Sequence, residues 1–133
     1  EEMSHFHLVH QKLLARGLAL GRERKDQYVH DIMDFFPKNK HREVKLIHRL
    51  LTAALIEARS CERFRVLSEN LADKELAKFY RDLMVSEANH YTMFLKFARQ
   101  YGDRQEVDAL WQSLLEYEAK VISKYGNKEY IHG

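Results

Sequence analysis

A glutamate and a histidine three residues apart occur twice in this chain, as Glu2-Met3-Ser4-His5 and as Glu87-Ala88-Asn89-His90. On a helix that spacing puts both side chains on one side, where a carboxylate oxygen and an imidazole nitrogen can reach a common point. The second pair falls where apolar packing is expected. At about 100° per residue, Leu76, Phe79, Tyr80, Leu83, Phe94, Phe97 and Ala98 define an inner stripe. Glu87 lies near its centre and His90 within about 60° of it. The preceding helix carries its own stripe of Ile47, Leu50, Leu51, Ala54, Ala58, Cys61 and Phe64. Glu57 stands about 40° from the centre of that stripe and Glu62 about 100° away.

Burying an ionised carboxylate without a partner costs several kcal/mol or more. If the two helices form a hairpin that pivots between residues 71 and 72, Glu57 and Glu87 face each other at one level. Two carboxylates in apolar surroundings repel unless they share a proton or bind a cation. Two Glu-x-x-His helices, with single glutamates from the other helices, make the ligand set of a di-iron or di-manganese carboxylate bundle. Carboxylates and imidazoles suit iron, with manganese second. A structural alternative pairs Glu57 with Arg59, Arg63 or Arg81. Glu2 and His5 stand apart from the second pair, because His5 lies off the Phe6–Val9–Leu13 stripe of its helix. His7 points to solvent, Cys61 packs, Tyr80 is a core tyrosine two turns before Glu87, and Trp111 is core.

The elements that must position these residues are helical throughout. No segment alternates with period two, so the expected class is an all-α, up-and-down bundle. Helices are expected over about 1–16, ending at Gly17, over a shorter stretch near "DQYVHDIMDFF" that Pro37 ends, and over about 41–69. A tight turn at 70–73 makes Asp73 the N-cap of a helix to about Tyr101, closed by Gly102. A last helix covers about 104–124, followed by the tail "YGNKEYIHG". The chain opens at full helical periodicity with neither a cap nor an initiator methionine. Residue 1 thus reads as the middle or start of a helix whose preceding sequence is absent, within one helical domain over 1–133.

The bulk properties exclude several classes. The 133 residues are 45% hydrophobic and 32% charged, which suits one folded domain and not a disordered chain. No apolar run approaches the roughly 20 residues of a membrane span. One cysteine cannot form an internal disulfide, and a reducing, cytoplasmic setting is expected. A formal charge of +2 permits an acidic partner without demanding one. No Gly-rich phosphate loop, Cys-x-x-Cys or nucleophile elbow is present.

The segments "IEARSCERF" and "SEANHY", with "EEMSHF" at the start and "YIHG" at the end, resemble the tRNA hydroxylase family called MiaE. That resemblance implies a ferritin-like four-helix core with a di-iron site. It implies hydroxylation of the isopentenyl group of a methylthio-isopentenyl-adenosine beside the tRNA anticodon, with dioxygen and an external electron donor. Carried over residue by residue, it implies Glu2, His5, Glu57, Glu87 and His90 as metal ligands. The family's first core helix, which brings a further glutamate ligand, would precede residue 1, so the resemblance implies a bundle that lacks that helix. Arg22, Arg24, Lys25, Lys38, Lys40, Arg42 and Lys45 are candidates to grip phosphates of the anticodon arm. Two readings compete: a ferritin-like iron-binding or peroxide-scavenging protein without a tRNA substrate, and a metal-free helical interaction domain.

Overall fold

The computed structural model describes residues 2–22, 27–38 and 41–125. Five helices follow one another: α1 (Glu2–Leu14), α2 (Gln27–Met33), α3 (Arg42–Asn70), α4 (Lys74–Tyr101) and α5 (Arg104–Tyr125). The described residues contain no strand, and the all-α bundle is as expected.

Local chemistry explains the boundaries. Gly17 has φ +70, and behind it the Leu18 amide donates to the Leu13 carbonyl at 3.0 Å while its own amide donates to Leu14. That pattern closes a helix with a left-handed residue, which glycine adopts without steric cost. Asp73 caps α4, its Oδ1 accepting from the amides of Glu75 and Leu76, both at 3.0 Å. Asp103 caps α5 in the same way through Gln105 and Glu106. Gly102 ends α4 for a different reason. Its backbone is extended (φ −140, ψ 170), but an added Cβ would lie 2.8 Å from Ile47 Cδ1 and 3.0 Å from Val107 Cγ2. The turn is glycine because α3 and α5 close in on it.

Helices α3 and α4 form a long antiparallel hairpin through Leu71–Asp73, and α2 and α5 pack across one half of it. Tyr28, Ile32, Leu51, Leu55, Leu95, Leu114 and Val121 belong to the core there. Trp111 is half-buried against that core and tilts on Tyr91, in keeping with its expected role. Helix α1 contributes no buried residue and runs antiparallel to α4, held through side chains. Lys12 pairs with Glu75 and lies over the Phe79 ring, and Arg16 reaches Asp73 at 3.0 Å.

Two expectations are corrected. Phe97 is exposed, although the stripe of α4 includes it. Leu95 and Ala98 turn toward α5, while the first described turn of α1 ends at the level of His90 and leaves the Phe97 side uncovered. On α1 the stripe of Phe6 and Val9 is also largely exposed, and His5 is the residue turned inward. Polar contacts with α4 choose the inner face of this helix, so apolar periodicity misjudged it.

Candidate metal centre

The α3–α4 hairpin brings Glu57 and Glu87 together as the level argument expects, with the two carboxyls hydrogen-bonded to each other. Glu87 and His90 are both buried, and the Glu57 side chain is 14% exposed. Burial pushes the Glu57 carboxyl up to about 9, with the hydrogen bond to Glu87 and the charges of Glu87 and Glu2 adding to it. A carboxyl in that state holds a proton at neutral pH, which is how an opposed pair avoids repulsion when no cation is bound.

Helix α1 supplies the other side. Because it is antiparallel to α4, the two Glu-x-x-His motifs meet head to tail. His90 Nδ1 lies 3.1 Å from Glu2 Oε1, and His5 Nδ1 lies 3.3 Å from Glu87 Oε1. Each histidine thus reaches the glutamate of the opposite motif, and the rings sit 5.8 Å apart. Within each motif the spacing is wider, 3.7 Å from His5 to Glu2 and 4.0 Å from His90 to Glu87.

Ligand atoms of Glu2, Glu57, Glu87 and His90 all lie within 4.8 Å of one another and could hold a metal ion. His5 stands at the edge of that group. Its Nε2 is 3.2 Å from the Ser86 hydroxyl, and its buried Nδ1 has no hydrogen-bond partner. A buried nitrogen left open toward a carboxylate is costly unless something binds it. The donor set therefore fits a divalent cation by chemistry and by this open nitrogen. Phe6, Val9, Ile56, Phe64 and Leu83 wall a cavity of about 400 Å³ that reaches Glu2, His5, Glu57 and Glu87.

The structural alternative for Glu57 loses its first candidate, since Arg59 pairs with Glu118 and Glu62 instead. Glu62 is exposed, as its helical phase implies. His7 is exposed. Cys61 is half-buried, and burial pushes its thiol up, which suits packing and not nucleophilic chemistry. Tyr80 stacks on Phe64 and meets Phe79 edge-on. Of the candidate phosphate contacts, Arg22, Lys38, Arg42 and Lys45 are exposed, while Arg24, Lys25 and Lys40 lie outside the described residues.

The sequence reading missed a second buried polar cluster. Glu118 is 1% exposed, accepts from the Tyr28 hydroxyl at 2.8 Å and pairs with Arg59 through both carboxylate oxygens. Burial, reinforced by Glu118, holds the Tyr28 phenol well above the usual phenol range. The hydrogen bond to Glu118 raises the Arg59 guanidinium in turn. The signal was present: Val107, Trp111, Leu114, Glu118 and Val121 repeat at helical spacing, so Glu118 occupies a core position just as Glu87 does.

An all-α bundle with opposed inward carboxylates, and an imidazole placed to share a metal ion with them, is the class that this fold and this cluster define. The model of the family described as tRNA-(MS[2]IO[6]A)-hydroxylase (MiaE) matches residues 1–133, and the chain belongs to that family. It is 39% identical over 107 residues to the tRNA 2-(methylsulfanyl)-N(6)-isopentenyladenosine(37) hydroxylase of Pseudomonas putida, covering 80% of this chain and 51% of that protein. It is 34% identical over 122 residues to the Salmonella typhimurium protein of the same name, covering 92% of this chain and 44% of that one. The chain thus spans about half the length of these relatives.

Proposed function

We propose that this chain carries the metal-holding part of a di-iron, oxygen-dependent tRNA hydroxylase. Its substrate would be the isopentenyl group of a methylthio-isopentenyl-adenosine beside the anticodon. The observation that carries this reading is the reciprocal meeting of the two Glu-x-x-His motifs, with Glu57 facing them, in a chain of the MiaE family.

Glu2, His5, Glu57, Glu87 and His90 would hold the metal, iron before manganese. Bound iron supplies the dioxygen and redox chemistry, with electrons from an external donor. The protein does the rest. The Ser86 hydroxyl lies 3.2 Å from His5 Nε2, and in the tautomer that donates Nε2–H to it, Nδ1 would stay open toward a cation. Glu57, whose carboxyl burial holds protonated, would have to release that proton to serve as a ligand. The apolar wall residues Ile56, Phe64 and Leu83 would suit a hydrocarbon tail. Arg22, Lys38, Arg42 and Lys45 are free of the core and available to RNA phosphates. A peroxide-scavenging or iron-storing role uses the same ligands, but neither the family nor the two relatives favours it.

Nucleoside mass spectrometry on bulk tRNA, from cells with and without the gene, tests the proposal. The hydroxylated prenyl-adenosine should vanish with the gene and its unhydroxylated precursor accumulate, and Glu57→Ala or Glu87→Ala should fail to restore it. An unchanged nucleoside profile in the deletion strain would sink the tRNA reading.

A further inference from the structure

A second cavity, of about 660 Å³, lies between α2 and α3 and away from the carboxylates. Its walls mix charge and apolar surface. Lys38, Lys45 and Arg49 line it, and no acidic residue does so among the described residues. Its apolar part includes Val29, Met33, Phe36 and Ala53. The Phe36 and His48 rings stack 4.3 Å apart at 18°, giving the groove a flat aromatic element. Burial pushes the His48 imidazole below its usual range, so that surface is neutral as well as flat.

The far end of the groove approaches the metal centre. Ile56 lines both this cavity and the one that reaches Glu57. Ala53 lies one turn before Glu57 on nearly the same side of α3. From Arg49 to Glu57 is eight residues, a rise of about 12 Å along the helix, and from Lys45 about 18 Å. That interval suits the span from a nucleotide's phosphate to the end of a five-carbon chain carried on its base.

We infer that this groove seats the substrate nucleotide itself. Its phosphate would lie on Lys45 and Arg49, its base against Phe36 and Met33, and its alkyl chain past Ile56 toward Glu57. The inference deepens the proposed function and rests on it. Each part of the nucleotide meets the chemistry it requires. Phosphate meets unopposed cations, an unpaired base meets an aromatic face, and the hydrocarbon meets a branched aliphatic wall. The base can enter because it comes from a single-stranded loop, where no duplex partner has to be displaced.

The test uses the full-length, iron-loaded enzyme and an anticodon stem-loop RNA with or without the prenyl group. Three variants are compared with the wild type: Lys45→Glu/Arg49→Glu at exposed positions, Ile56→Trp to block the passage, and Lys120→Glu on α5 as a charge-reversal control. Iron content and thermal melting establish that each is folded. The double charge reversal should weaken RNA binding at least tenfold and lower the slope of log affinity against log salt by about 0.7 per lost contact. It should raise KM far more than it lowers kcat. Ile56→Trp should keep iron and bind prenylated and unprenylated RNA about equally, while losing at least ten-fold in kcat. Wild-type affinity, salt slope and turnover in both groove variants would overturn the inference and leave the proposed function standing. A wild-type enzyme that leaves the prenylated RNA unhydroxylated would overturn both.

Discussion

Glu57 shows how much a single buried group can couple to the medium. Its carboxyl is pushed up to about 9 in the folded, metal-free protein, against 4.5 for the unperturbed group. The folded state therefore binds more protons than the unfolded state between those values. Stability is greatest at the acid side of that window and falls as pH rises through it. Thermal melts of the metal-free protein between pH 5 and 9 should show this decline, and Glu57→Gln should flatten it. Metal uptake should run the other way, tightening with pH and releasing about one proton near pH 7, readable by calorimetry in buffers of different ionisation enthalpy. At His5 the relevant neighbour is Ser86. Ser86→Ala removes the group beside Nε2 and should weaken metal binding about tenfold while leaving the five proposed ligands in place, as competition with a chromophoric chelator would register.

The helices divide the work unevenly. Helix α4 carries one complete Glu-x-x-His motif, α3 sets a carboxylate opposite it, and the three-residue turn capped by Asp73 fixes their register. Helix α5 contributes no residue to the candidate metal group. Its Glu118 ties α2 and α3 to it through Tyr28 and Arg59. Glu118→Ala leaves a buried phenol and a partly buried guanidinium without their acceptor. It should cost about 3 kcal/mol in urea unfolding, the lower part of the buried-pair range, since Arg59 keeps water on one side. At the end of α1, Gly17→Ala should cost about 1 kcal/mol from its positive φ alone, because nothing lies within 4 Å of the added methyl.

At the scale of the molecule, α1 is the least anchored element. Met3, Phe6 and Leu14 are exposed, and the contacts that tie α1 and the turn behind it to α4 and its cap include two surface ion pairs, Lys12 over the Phe79 ring, His5 beside Ser86 and the carboxylate–imidazole cluster. Ion pairs of that kind contribute little, so in the absence of metal α1 should open at low free energy. Hydrogen exchange of residues 2–14 should slow markedly on metal addition, and far less in Glu87→Ala.

Local rules act over one or two turns, and what they govern was legible in the sequence. This covers the five helices, the caps at Gly17 and Asp73, and the inward aim of Glu57, Glu87 and His90. It also covers their common level, since a tight hairpin fixes register by counting. Local rules do not reach between elements separated by long stretches of chain. Whether His5 faced inward depended on which side of α1 met α4, and polar contacts overruled its apolar stripe. Phe97 is exposed because no described helix covers its side. Arg59, one of the partners open to Glu57 in the sequence, was claimed by Glu118, some 60 residues away. The head-to-tail meeting of the two motifs was decided in the same way. Each motif is written locally, but only the antiparallel packing of α1 on α4 puts the histidine of one beside the glutamate of the other.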